Sequence, residues 1–154
     1  METFKTTLIE APASLVFKIL LDVDLATVWA PGLTHYEVIS KNKNMVGSTY
    51  RSRFDINGYK FEQVSEIKGY VENQSVEWLA TSKFCDGKVN YLLTAISDTR
   101  TEFKHTSHCK YKGLTKILAW LTKSKTKKVS EDYNEELHEN FKTLVEKEYT
   151  SGIA

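Results

Sequence analysis

The chain has 154 residues, 41% hydrophobic and 27% charged, which is enough to bury the core of one globular domain spanning 1–154 and leaves little for a second. Twenty-one basic against twenty acidic residues give a formal net charge of +1, so no global field draws the protein to nucleic acid or to an anionic membrane. No window approaches the roughly 20 consecutive apolar residues that cross a bilayer, and Met1 to Thr7 lacks the order of a secretory signal, so a cytoplasmic location is expected.

Alternation over Thr3 to Ile9 predicts a first strand, broken by Glu10-Ala11-Pro12, with Pro12 placed to open a helix. Val16, Phe17, Ile19, Leu20 and Leu21 give that helix a broad apolar face. Asp22 or Asp24 can cap a second short helix ending at Trp29, and Ala30-Pro31-Gly32 turns the chain out of it. As paired carboxylates these aspartates could serve acid/base work, but their place at a helix junction points to capping.

From His35 to Tyr111 the hydrophobic period becomes two, in segments punctuated by Gly47, Asn57-Gly58, Gly69, Asp86-Gly87 and Asp98-Thr99. Such a pattern predicts an antiparallel meander, with tight two-residue hairpins at Asn57-Gly58 and Asp86-Gly87. The faces that read as inward are Tyr50, Ser52 and Phe54; Tyr59, Phe61, Gln63, Ser65 and Ile67; Val76, Trp78, Ala80, Ser82 and Phe84; and Phe103, His105, Ser107 and Cys109. Charged residues such as Arg51, Arg53, Glu62 and Lys104 fall on the opposite faces. Adjacent Leu92 and Leu93 leave the faces of Val89 to Ser97 unassigned.

Helical spacing returns from Leu114 to Tyr149 through Leu114, Ile117, Leu118, Leu121, Val129, Tyr133, Leu137, Phe141, Leu144 and Val145. One long amphipathic helix is predicted, its stripe interrupted between Thr122 and Lys128. Lys123, Lys125, Lys127 and Lys128 form the one basic cluster, and Glu131, Asp132, Glu135 and Glu136 follow so closely that a solvated helix face accounts for it.

Motifs for chemistry are sparse. Gly-x-Ser-x-Gly, the P-loop and the dinucleotide fingerprint are missing, and no cofactor is called for. Cys85 and Cys109 form no C-x-x-C pair and read as reduced core thiols. His105 and His108, three apart on a strand, point to opposite faces and form no metal pair, while His35 and His138 lack a ligand spacing. His105 reads first as a satisfied wall histidine and second as a group that orients or protonates a carbonyl.

The run Ile9-Glu10-Ala11-Pro12-Ala13-Ser14-Leu15-Val16-Phe17, then Asp22-Val23-Asp24, Trp29-Ala30-Pro31-Gly32-Leu33 and Met45-Val46-Gly47-Ser48-Thr49-Tyr50-Arg51, resembles the SRPBCC superfamily. That group holds START lipid-transfer domains, birch-pollen-allergen-like proteins and the polyketide cyclase/dehydrase-like branch, to which this chain is most similar. The resemblance implies an α+β helix-grip fold: a seven-stranded antiparallel sheet wrapped around a long C-terminal helix, with two short helices after the first strand. It also implies a cavity between sheet and helix.

The residues expected to line that cavity are Trp29, Tyr50, Ser52, Tyr59, Phe61, Gln63, Trp78, Ser82, Phe84, Tyr91, Phe103, His105, Ser107 and Leu121. Its mouth is expected at Trp29, the Pro31-Gly32 turn and the hairpins near Gly58 and Gly87. The expected function is to bind or carry a hydrophobic small molecule, such as a lipid, isoprenoid or polyketide-like compound, without stable membrane insertion. The alternatives are a cyclase or dehydratase enzyme, for which a paired acid and base is missing, and a protein-interaction module of the chaperone-activator kind.

Overall fold

A computed structural model describes residues 1–153; Ala154, the last residue of the expected domain, lies outside them. Strand β1 (Glu2–Ile9) is followed by helices α1 (Ala13–Leu20) and α2 (Ala26–Trp29). Six strands then run in order: β2 (Leu33–Ser40), β3 (Thr49–Ile56), β4 (Tyr59–Val71), β5 (Ser75–Ser82), β6 (Cys85–Ser97) and β7 (Arg100–Tyr111). Helices α3 (Gly113–Leu121) and α4 (Lys123–Ile153) close the chain.

The seven strands form one antiparallel sheet in the order β1-β7-β6-β5-β4-β3-β2, so every neighbour but the β1–β7 pair is a hairpin neighbour. This is the α+β helix-grip arrangement expected from the opening residues. The β3–β4 turn is the expected one: Asn57 and Gly58 take φ values of 54° and 86°, as a type I′ turn requires. Between β5 and β6 the expectation fails, because Asp86 and Gly87 sit inside β6, opposite Thr81 and Ala80. The turn falls instead on Lys83 and Phe84, where the Ser82 hydroxyl accepts the N–H groups of Phe84 (3.2 Å) and Cys85 (3.1 Å). A serine side chain that mimics a backbone turn competes successfully with the Asp-Gly dipeptide.

Asp22 does not cap α2, whose N-cap is Leu25 with no side-chain bond; its Oδ1 instead closes the turn between the short helices, accepting from the N–H groups of Asp24 and Leu25. The strand β1 is stitched to α4: Asn134 Nδ2 donates to Thr3 Oγ1 (3.0 Å), Thr7 Oγ1 meets His138 Nδ1 (2.7 Å), and Lys142 Nζ donates to the Leu8 carbonyl (2.8 Å). These bonds fix how far the helix stands from the sheet.

The core fills one end of the sheet's concave face. Ile9, Val16, Phe17, Ile67, Val76, Leu93, Phe103, Phe141 and Val145 are buried there together. Phe103 and Phe141 touch at 4.7 Å between ring centroids, and Trp29 meets Phe141 edge-on at 5.0 Å. The outer face carries interleaved charges, with Arg51 and Arg53 on Glu62, Arg51 on Glu37 and Lys88 on Glu77. Exposed pairs of this kind add little stability.

The long terminal helix forms as α4, and the segment expected to join it from Leu114 is divided from it where the apolar stripe is interrupted. Thr122 leaves helical geometry at φ −112°, ψ 28°, and the helix restarts at Lys123. Its Oγ1 donates to the Leu118 carbonyl at 2.8 Å, a back-bond that competes with the helical ladder and bends helices.

Candidate functional site

At the other end of the concave face the sheet and α4 do not meet. They enclose a cavity of about 760 Å³. This falls within the range of pockets that hold a drug-sized molecule. Seven elements supply most of its walls. The inward faces of β3 and β4 bring Ser52, Phe61 and Gln63; β5, β6 and β7 bring Trp78, Tyr91, His105 and Ser107; α4 brings Tyr133 and Leu137; and α2 with its exit turn brings Trp29, Pro31 and Gly32.

Small residues make the volume possible. Ser52, Ser65 and Ala80 stand on neighbouring strands where bulkier side chains would reach α4, and all three are buried in the cavity wall. The exposed residues Asn57, Val129, Asp132 and Glu136 also border the cavity, so it opens between the β3–β4 hairpin and the first turns of α4. At this rim Gly32 has φ +72°, and a Cβ there would come within 2.8 Å of the Ile56 side chain and 2.9 Å of the Asp55 carbonyl. Only glycine lets α2 turn this tightly into β2.

Of the residues expected to line the cavity, Trp29, Ser52, Phe61, Gln63, Trp78, Tyr91, His105 and Ser107 do so. Six do not. Tyr59 flanks the type I′ turn at the hairpin tip and is 80% exposed. Phe84 falls in the relocated β5–β6 turn, and the Ser82 hydroxyl is spent on that turn. Tyr50 is buried beneath the wall between Tyr36 and Trp78. Phe103 belongs to the packed core, stacked on Tyr91 and against Phe141. Leu121 points into water from α3. At the expected mouth Pro31, Gly32 and Asn57 are present, whereas Gly87 lies within a strand.

Two features escaped the sequence. Tyr36, Tyr111 and Tyr133 complete the aromatic wall; Tyr133 was visible as part of the helical stripe, the others only through the sheet register. The second is a histidine stack. His105 and His138 lie 5.6 Å apart between ring centroids, with Tyr91 on the far side of His105 at 4.7 Å and Phe103 against His138 at 5.1 Å. Nothing in a spacing of 33 positions announces that contact.

Burial pushes His105 down to about 4, so the ring is neutral at physiological pH. His138 is pushed to about 3 by burial first, then by His105 and Lys5. Two neutral imidazoles can share a dry site where two cations could not. His105 Nδ1 and Trp29 Nε1 are buried without any hydrogen-bond partner. Both residues stand in the cavity wall.

Cys85 and Cys109 also line the cavity as free thiols. Their mutual hydrogen bond draws the Cys85 thiol down to about 6 and raises that of Cys109. Among the described residues no three His, Cys, Asp or Glu side chains gather in a way that could hold a metal ion. Among the same residues no helix is long and apolar enough to cross a membrane.

Neither any protein-family model nor any curated protein sequence matches the chain. Solved structures do. A START superfamily protein from Mycobacterium smegmatis superposes with a TM-score of 0.79 at 15% identity, over 95% of this chain and 97% of its own. A conserved protein from Geobacillus kaustophilus gives 0.79 at 15% identity, over 96% of each chain. The Zhui aromatase/cyclase from Streptomyces sp. R1128 gives 0.69 at 14% identity, over 91% of this chain and 93% of its own. The fold is therefore START-like: a sheet gripping a terminal helix. At these identities the likeness is one of fold.

Proposed function

We propose that the protein binds and carries a hydrophobic small molecule in this cavity, a lipid, isoprenoid or polyketide-like compound bearing at least one polar group. The observation that carries the reading is an open, aromatic-walled cavity of about 760 Å³ with two buried polar atoms, Trp29 Nε1 and His105 Nδ1, left without partners. A buried unpaired donor or acceptor costs on the order of 1–3 kcal/mol, which a guest oxygen would relieve. Tyr91, Trp78, Phe61 and Leu137 supply apolar wall. A guest burying about 300 Å² of apolar surface would gain roughly 7 kcal/mol before binding costs. Orientation would then come from the polar atoms and affinity from the greasy surface.

A neutral His105 is a weak base at physiological pH, and no carboxylate is hydrogen-bonded to it. This favours a carrier over a cyclase. Two free thiols on the cavity wall suit a reducing compartment and support a cytoplasmic location.

Native mass spectrometry of the purified full chain tests the reading. A non-covalently bound small molecule that organic extraction recovers as a lipophile is expected. Protein that sprays free of any guest, and that takes up no lipid from a presented mixture, would contradict it.

A further inference from the structure

An amphipathic helix ordinarily buries its apolar stripe; α3 does the reverse. Leu114, Ile117, Leu118 and Leu121 recur at helical spacing, yet they are 84%, 58%, 61% and 66% exposed, and Trp120 beside them is 75% exposed. The half-buried positions are the small ones, Thr115, Ala119 and Thr122, so the helix turns its small-residue side to the protein and its large apolar side to water. Its seat is polar. The Lys112 N–H and the Thr115 hydroxyl both donate to the Phe84 carbonyl, each at 2.9 Å.

Charge gathers around this face. Between Glu102 and Glu131 the sequence has eight lysines and no acidic residue. Lys112 pairs with Asp86, Lys127 with Glu131 and Lys128 with Asp132. Among the described residues Lys116, Lys123 and Lys125 have no carboxylate within ion-pair distance. Three uncompensated cations thus accompany an exposed Leu, Ile and Trp surface.

We propose that α3 is an interfacial helix that docks the protein on an anionic lipid bilayer, with Leu114, Ile117, Leu118, Trp120 and Leu121 entering the acyl boundary and Lys116, Lys123 and Lys125 meeting the headgroups. Apolar side chains on one arc, lysines at its flanks and an indole at the edge are what a helix lying in the headgroup plane requires. A second copy of this chain fits less well. A twofold contact would set the same patch against itself and bring both sets of unpaired lysines together. The five large side chains also stand clear of the protein at 58–84% exposure, which suits a planar surface more than a peptide seated in a groove. Tyr111 and Val129, the cavity-lining residues on either side of α3 in the chain, would be held near that surface.

Docking through α3 is independent of what the cavity holds, so the test uses protein and vesicles without added guest. The full chain is sedimented with vesicles of phosphatidylcholine alone and of phosphatidylcholine with phosphatidylserine, at low and high salt. Partition onto the phosphatidylserine vesicles, weakened by salt, is expected. Lys116→Gln, Lys123→Gln and Lys125→Gln together should lower it about a hundredfold, at roughly a fivefold loss for each lysine. Leu118→Glu with Leu121→Glu should abolish it. All five positions are exposed, and cavity uptake of an apolar dye should be unaltered in both variants, which separates this inference from the carrier reading. Absence of partition onto phosphatidylserine vesicles would overturn the proposal. So would equal partition onto both vesicle types, partition indifferent to both variants, or a concentration-dependent dimer that Leu118→Glu with Leu121→Glu disperses.

Discussion

The two ends of the terminal helical region carry the same kind of pattern and meet opposite fates. In α4, Leu137, Phe141 and Val145 are 3%, 0% and 0% exposed; in α3, Leu114 and Leu118, equally regular in spacing, are 84% and 61% exposed. Periodicity shows that a segment is an amphipathic helix, but it does not show what its apolar stripe will face. In α4 the stripe lies over the concave sheet, fixed by the bonds from Thr3, Thr7 and Leu8 of β1. In α3 the break at Thr122 and the polar seat on the Phe84 carbonyl hold a different side of the helix to the protein.

The sharpest way to break this contrast is Phe141→Ala, expected to cost about 3–5 kcal/mol because a fully buried ring shared by Trp29 and Phe103 is removed. Its counterpart Leu118→Ala should change stability by less than about 0.5 kcal/mol, since that side chain already stands in water. Chemical denaturation of both variants decides the matter. Comparable losses would mean that α3 packs as α4 does.

A smaller effect concerns the boundary between core and cavity. His105 and His138 have folded-state values of about 4 and about 3, below the ordinary 6.5 of an unfolded chain, so the unfolded state binds protons first as pH falls. The groups facing them are Tyr91, Phe103, Thr7 and Lys5, none of which offers an anion to hold an imidazolium. Stability is fully present above about pH 7 and should decline by about 2 kcal/mol for each histidine by about pH 5. Unfolding midpoints at the two pH values, compared with those of His105→Phe, test this. A variant as acid-sensitive as the parent would remove His105 from the account.

Much of the fold was legible because it is written in local rules. The switch from helical to strand period, the Asn57-Gly58 turn and the breaker at Pro12 each act within a few residues. The Asp86-Gly87 hairpin was misplaced because Ser82, a single side chain reaching two N–H groups, outcompeted a good turn dipeptide. Cavity residues were legible where strand alternation decides the face, as for Ser52, Gln63, Trp78, His105 and Ser107. They were not where depth along the strand matters. Tyr59 and Phe103 are on inward-reading faces, yet one overshoots the cavity at a hairpin tip and the other is sealed beneath it by Phe141. The His105–His138 stack depends on the register of β1 against both β7 and α4, which no local pattern encodes.

The most direct measurement is equilibrium uptake of an apolar fluorophore by the parent chain and by Ser107→Trp. Ser107 lies on the cavity wall, its hydroxyl bonded to Thr3 at 2.8 Å, and an indole there would project into the open volume. Saturable uptake by the parent, weakened about tenfold or more in the variant with the far-ultraviolet spectrum unchanged, is the expected result. A parent chain that takes up no fluorophore, or a variant that binds it as tightly as the parent, would contradict a cavity built to hold a guest.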